Sequence, residues 1–104
     1  MRLYHNPRCS KSREAVALLK ARGVTFEERR YLKDGVLEED LNLLAGLEGI
    51  LRTKEVEAGI DMSDPQAVRT LLATDPKPMQ RPVLVHEDRA IIGRPPEALL
   101  RMLE

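Results

Sequence analysis

A helical apolar stripe between two strand-like segments constrains the fold of this chain more than any other feature. The stripe predicts a helix over residues 12–22, which Gly23 ends because glycine readily adopts the left-handed conformation favoured there. Residues 2–5 and 24–32 on either side have strand character. The four residues of the stripe are Ala15, Val16, Leu18 and Leu19. This order predicts two parallel strands joined by a crossover helix.

The rest of the chain adds helices and then a hairpin. A second amphipathic helix is indicated over residues 37–44, and shorter charged helices over residues 47–59 and 65–73. Residues 82–86 are apolar and β-branched enough for a strand, which turns back into residues 90–92. A last amphipathic helix follows, with prolines in its first turn. The second half of the chain therefore adds a β-hairpin to the first strand pair.

This order of elements predicts the α/β class, with a mixed central sheet, flanking helices and a helical insertion at roughly residues 47–79. A thioredoxin-like fold fits that order. With 104 residues the chain is long enough for one compact domain and too short for two. We therefore expect residues 1–104 to form a single domain.

Charge and cysteine content limit the kinds of partner, cellular location and metal site that we expect. Lys plus Arg total 17, as do Asp plus Glu, so no charge excess indicates nucleic acid or an anionic membrane as partner. No leader pattern is visible and no apolar run approaches the roughly 20 residues of a membrane span, so we expect a cytoplasmic protein. The single cysteine, Cys9, excludes an internal disulfide and a multi-cysteine metal cluster, and we expect no bound metal or cofactor.

The surroundings of Cys9 favour a reactive thiol. Residues 5–13, with the sequence HNPRCSKSR, join the first strand to the first helix, so Cys9 lies at or just before the helix N-terminus. Free amide hydrogens, the positive helix end and the nearby Arg8, Lys11 and Arg13 would lower the thiol pKa by roughly one or more units. The same amides can hold an oxyanion. The alternative is a small buried apolar cysteine, which these basic neighbours disfavour.

Several neighbours of Cys9 have more than one interpretation. His5 could be a base or charge partner for the thiolate, or equally a hydrogen-bonded spacer. Ser10 and Ser12 are interpreted as ordinary N-cap residues. Three residues separate Cys9 from Arg13, whereas low-molecular-weight tyrosine phosphatases have five between cysteine and arginine, so that family is disfavoured. Ser12 occupies the position of the second cysteine of a dithiol motif, so a resolving thiol must come from another molecule.

With these motifs the chain resembles the glutaredoxin-dependent arsenate reductase family over nearly its whole length, and within it the short branch that carries the HNPRCSKSR and GRPPE motifs. The resemblance rests on the HNPRCSKSR loop, a Leu-Arg pair at Arg52, Arg81-Pro82 before a strand, and a GRPPE motif that contains Arg94. It implies a thioredoxin-like fold, a cis peptide bond before Pro82, and arsenate held by the three arginines against the cysteine loop. Guanidinium groups suit a tetrahedral oxyanion because they form paired, charge-assisted hydrogen bonds.

The resemblance also implies a mechanism and its partners. The Cys9 thiolate would form an adduct with arsenate, glutathione would act as cosubstrate and second thiol, and glutaredoxin would reduce the mixed species. Each arginine could instead be a solvated surface charge, above all Arg52, which we expect inside a charged helix. One alternative function is a general glutathione-dependent thiol oxidoreductase. A regulator like the RNA polymerase-binding Spx proteins is disfavoured because Ser12 removes their two-cysteine switch, and an inert structural domain is a further alternative.

Overall fold

A four-stranded sheet forms the centre of the computed structural model, which describes residues 1–103. In chain order the strands are β1 (Arg2–Tyr4), β2 (Glu27–Arg29), β3 (Val83–His86) and β4 (Arg89–Ile92). They lie in the order β2-β1-β3-β4, with β1 and β2 parallel and the other pairs antiparallel. The predicted α/β class with a mixed sheet is confirmed. Glu104, the last residue of the predicted domain, lies outside the described residues.

Helices cover both faces of this sheet. The α-helices are α1 (Ser10–Ala21), α2 (Tyr31–Asp34), α3 (Glu38–Ala45) and α4 (Pro65–Thr74), and two 3-10 helices span Thr53–Glu55 and Pro96–Leu103. In a 3-10 helix, residues spaced three apart lie on the same face. In the last helix that face is formed by Pro96, Leu99 and Met102, which are all buried. Within the described part of the chain, no helix has the length and apolar character needed to cross a membrane.

Alternation along the strands builds two apolar layers. Leu3 and Leu84 point to one face, where they pack with α1 and the C-terminal 3-10 helix. Tyr4, Val83 and Val85 point to the other face and pack with α3 and α4. Successive side chains of a strand alternate between faces, so β1, β3 and β4 each contribute to both layers.

The strand predicted over residues 24–32 is too long. Only Glu27–Arg29 pairs, because its parallel partner β1 is itself only three residues long and leaves the sheet after Tyr4. Without a partner strand the chain turns at once into α2, which begins at Tyr31 and ends before Gly35. Tyr31 therefore belongs to a helix that the sequence analysis did not anticipate.

The helix predicted over residues 47–59 is wrong except for Thr53–Glu55. The backbone before this short helix pairs with a distant segment instead: the Arg52 amide donates to the Pro78 carbonyl at 2.7 Å, and Leu51 forms an antiparallel bridge to Met79. Gly49 has a φ of +77°, which a continuous helix cannot contain. The insertion is therefore helical only in part, and Arg52 has extended backbone geometry.

A buried ion pair between β1 and α3 offers a test of this packing. Asp40 is 4% exposed, accepts a 2.8 Å hydrogen bond from Arg2 and accepts another from the Tyr4 hydroxyl. We expect Asp40→Asn to lower the free energy of unfolding by about 2 kcal/mol, because it leaves a charge and a buried hydroxyl poorly paired. Urea unfolding measures this. Glu39→Gln is the control, since that side chain is 69% exposed; equal losses in both variants would contradict the prediction.

Candidate active site

Four segments of the chain meet at one edge of the sheet. Tyr4 pairs with Arg29 of β2 and with Val83 of β3, and Val83 pairs with Ile92 of β4. Strands β1, β2 and β4 therefore end at this edge and β3 begins there. The residues just outside these strand ends include Cys9, Tyr31, Arg81 and Arg94. The topology thus collects residues that are far apart in the sequence.

Cys9 is the N-cap residue of α1, with φ −92° and ψ 122°. Its amide donates to the Asn6 carbonyl at 2.9 Å, and its carbonyl accepts from the Arg13 amide at 3.0 Å. The helix begins two residues earlier than predicted, so neither Ser10 nor Ser12 is its N-cap. Ser12 is buried, and its hydroxyl oxygen accepts a 3.0 Å hydrogen bond from the Asn6 amide, which holds the loop against the helix.

The surroundings of Cys9 lower its thiol pKa below the ordinary value. Partial burial acts in the opposite direction and raises the pKa, but the Ser12 amide, the Arg81 guanidinium, the Lys11 amide and the Arg94 charge outweigh it. The hydrogen bond with favourable geometry is the one from Arg94, whose Nη2 lies 3.4 Å from the sulfur. These groups stabilise the thiolate, which is the nucleophilic form of cysteine.

The three arginines singled out in the sequence lie together at this edge. Arg94 donates from Nε to the Arg81 carbonyl at 2.9 Å. Arg52 and Arg81 share the carboxylate of Glu55, with nitrogen to oxygen distances of 3.3 and 3.6 Å. Each of its two oxygens faces a different guanidinium group. An oxyanion with several acceptor oxygens could occupy a similar position, because guanidinium groups bind carboxylates and tetrahedral anions by the same hydrogen bonds.

Comparisons with known proteins identify the family of this chain. A protein-family model, described as the ArsC family, matches residues 4–102. The chain belongs to the ArsC family. It is 34% identical to an arsenate reductase of Neisseria meningitidis serogroup A, over 99% of this chain and 97% of that protein. It is also 37% identical to the uncharacterized protein YfgD of Escherichia coli, over 99% of this chain and 96% of that protein.

A solved structure in the same family confirms the fold. The arsenate reductase from Vibrio cholerae superposes with a TM-score of 0.79 at 33% sequence identity, covering 97% of each chain. The predicted thioredoxin-like fold of this ArsC-family chain is therefore confirmed. The resemblance to arsenate reductases that the motifs indicated is confirmed as well.

Two of the supporting residues in this ArsC-family site do not contact the thiol directly. Arg13 donates from Nη1 to the Pro7 carbonyl at 2.9 Å and so braces the loop. His5 is 5% exposed, and its Nε2 lies 3.8 Å from a Glu28 carboxylate oxygen. Burial is the main cause that lowers the pKa of His5; the charge of Glu28 acts against it, and the charges of Arg30 and Arg13 lower the pKa further. A lowered pKa favours the neutral imidazole near pH 7.

Pro82 holds the base of the site. It is buried, and the peptide bond before it is cis, as the family resemblance implies; the bond between Arg94 and Pro95 is also cis. The Pro82 carbonyl accepts a 2.8 Å hydrogen bond from the Gly93 amide. A Cβ atom on Gly93 would lie 2.8 Å from Pro82 Cγ and 3.0 Å from Leu99 Cγ. Only glycine fits between these side chains. Gly93 therefore lets the chain pass close to Pro82 immediately before Arg94.

Sequence reasoning missed two residues at this edge of the ArsC-family fold. Glu55 follows Arg52 at a spacing of three residues, which is a common ion-pair spacing on a helix. In the charged helix predicted there, such a pair has the pattern of ordinary surface charge, so the sequence does not mark Glu55 as a site residue. Tyr31 falls within the strand predicted over residues 24–32, and its hydroxyl plays no part in that prediction. It is 1% exposed, and its hydroxyl has no hydrogen-bond partner within residues 1–103. No local pattern marks that hydroxyl, because its surroundings come from distant segments.

Proposed function

We propose that this ArsC-family chain reduces arsenate to arsenite, with the Cys9 thiolate as nucleophile, glutathione as cosubstrate and glutaredoxin as reducing partner. The observation that supports the proposal most is a thiol of lowered pKa with the Arg94 guanidinium 3.4 Å from its sulfur. A nucleophile and cationic hydrogen-bond donors then face the same oxyanion. The family relatives described as arsenate reductases support the choice of arsenate.

The first half of the reaction forms two bonds between sulfur and arsenic. The Cys9 thiolate attacks arsenic, and one arsenate hydroxyl takes up a proton from solvent and leaves as water, while Arg52, Arg81 and Arg94 bind the remaining oxygens. The glutathione thiol then adds to the same arsenic atom and a second water leaves. Arsenic remains in oxidation state five up to this point, since no electron pair has moved to it.

The second half of the reaction transfers two electrons. A glutaredoxin thiolate attacks the glutathione sulfur and forms a mixed disulfide, and the electron pair of the broken sulfur to arsenic bond stays on arsenic as arsenic(III). Water then hydrolyses the remaining bond to Cys9, which releases arsenite and restores the thiol. Because the chain contains one cysteine, both further thiols must come from other molecules. Such thiols are kept reduced in the cytoplasm, where we place the reaction.

Arsenate-dependent oxidation of NADPH tests this function. The assay contains the purified protein, glutathione, glutaredoxin and glutathione reductase, and we expect a rate that requires both arsenate and glutathione. Phosphate is the matched control substrate, because it has the same shape and charge but cannot accept the electrons. Arg8→Ala is the matched control variant, since Arg8 is an exposed arginine of the same loop and, against the expectation from the sequence, is not among the groups that lower the pKa of Cys9. Its rate should equal that of the parent.

The contrary result is equally specific. If arsenate causes no NADPH oxidation while Cys9 still reacts rapidly with iodoacetamide near pH 7, the arsenate proposal is wrong. Reduction of glutathione mixed disulfides by the same protein would then support the general thiol oxidoreductase. A slow, ordinary thiol reaction would instead indicate an inert cysteine.

A further inference from the structure

We propose that the Tyr31 hydroxyl is a further oxyanion-binding group, which donates a hydrogen bond to a substrate oxygen beside Cys9. This inference rests on the proposed function, because it assigns a second kind of donor to the same site. It also accounts for a buried hydroxyl that has no hydrogen-bond partner among residues 1–103.

The hydroxyl itself is the first observation. Tyr31 is 1% exposed, and its oxygen forms no hydrogen bond with any residue the structure describes. Buried hydroxyl groups in proteins are nearly always paired, since an unpaired one loses its bonds to water without replacement. Tyr4, the other tyrosine of the chain, is also buried but donates to Asp40. An unpaired donor of this kind is typical of a site that a ligand completes.

The position of Tyr31 is the second observation. It begins α2 directly beyond β2, at the edge of the sheet where the Cys9 loop leaves β1, and the His5 amide hydrogen-bonds to the Arg29 carbonyl at 2.9 Å across these two strands. Its ring packs in the apolar cluster that includes Leu51 and Val83. These two residues flank the segments that carry Arg52 and Arg81. The ring therefore belongs to a cluster that extends to the segments carrying Arg52 and Arg81.

The charges that shift the pKa of Tyr31 belong to residues of the candidate site. Burial is the largest influence and raises the pKa of Tyr31 to about 12; after it come Arg81, which lowers the pKa, then Cys9 and Glu55, which raise it, and Arg52, which lowers it. All four are site residues. The phenol therefore stays protonated near neutral pH and can only gain by donating to an anion. Unlike another arginine, it adds a donor without adding charge.

Tyr31→Phe separates a ligand role from a structural one. We expect the KM for arsenate to rise about 10-fold, in keeping with a lost hydrogen bond to a charged group. Protection of Cys9 from iodoacetamide should need an arsenate or phosphate concentration about 10-fold higher. The urea midpoint should stay the same or rise, because the variant removes an unpaired buried group.

Tyr4→Phe is the matched control. It removes a hydroxyl that is paired with Asp40, so we expect a lower urea midpoint and unchanged protection of Cys9 by either anion. The proposal therefore predicts opposite results for the two variants. Tyr31→Phe weakens protection of Cys9 without loss of stability, and Tyr4→Phe loses stability without weaker protection. A Tyr31→Phe variant that is destabilised like Tyr4→Phe, or that does not fold, would overturn it.

The protection assay also keeps this inference distinct from the proposed function. Normal turnover of arsenate with unchanged protection in Tyr31→Phe overturns the role of Tyr31 and leaves the function standing. Absent turnover, with protection by arsenate and phosphate that weakens in Tyr31→Phe, overturns the function and supports the oxyanion-binding role. Absence of protection in the parent protein overturns the role of Tyr31 as well.

Discussion

Replacement of Cys9 with serine is expected to lower arsenate-dependent turnover by more than about 10³-fold, since the nucleophile of a covalent mechanism is removed. A serine hydroxyl is far less acidic than this thiol, whose pKa is already lowered by its surroundings. The loss should therefore appear in kcat, as measured by arsenate-dependent NADPH oxidation.

The fold should tolerate this change. Serine has nearly the shape of cysteine and can keep the backbone hydrogen bonds that join residue 9 to Asn6 and Arg13. Ser10→Ala is the matched control, because Ser10 is the exposed neighbour in the same turn. Substantial turnover in Cys9→Ser, with unfolding curves like those of the parent, would contradict every mechanism that uses the thiol.

The carboxylate of Glu55 neutralises part of the positive charge of Arg52 and Arg81. It is 33% exposed and lies between Arg52 and Arg81, so two cations share one anion before any substrate binds. An incoming oxyanion must compete with this carboxylate for the same guanidinium groups. Under the proposed function, binding by Arg52 and Arg81 therefore exchanges one set of ion pairs for another, whereas Arg94 hydrogen-bonds to the thiol.

The local part of this architecture could be predicted from the sequence. The Cys9 loop was located correctly because a strand, a proline break and an amphipathic helix are neighbours in the chain, and each has its own short-range signal. The hairpin of β3 and β4 was predicted for the same reason. The exact start of α1 was missed because the N-cap residue is Cys9 and no serine side chain caps the helix.

The part that depends on distant contacts could not be predicted in the same way. Arg52 lies in extended backbone because the residue before it pairs with Met79, and the local charge pattern predicts a helix there. Tyr31 is oriented by the end of β2 and by packing against remote segments. Tertiary pairing overrides local propensity at both positions. These are also positions at the candidate site, where such disagreement between local and global preference is expected.

Replacement of Arg94 with alanine is the prediction that separates arsenate reduction from general thiol chemistry. Arg94 contacts the Cys9 sulfur and its charge lowers the thiol pKa, so its loss should raise that pKa and reduce the thiolate fraction at neutral pH. The midpoint of the pH profile for alkylation of Cys9 should therefore move to higher pH. Arsenate turnover should fall on the order of 100-fold, because a donor to the oxyanion is lost too.

Two further variants make this result specific to the position of Arg94. Arg94→Lys restores the charge but not the planar fork, so it should recover the alkylation profile better than it recovers arsenate turnover. Arg89→Ala removes an exposed arginine on the same hairpin and should change neither. If Arg94→Ala shifts the alkylation profile and lowers thiol reactions with disulfides and with arsenate to the same extent, then Arg94 acts only through the thiolate. A much greater loss with arsenate would mean that the guanidinium group binds the oxyanion itself, as the reductase mechanism requires.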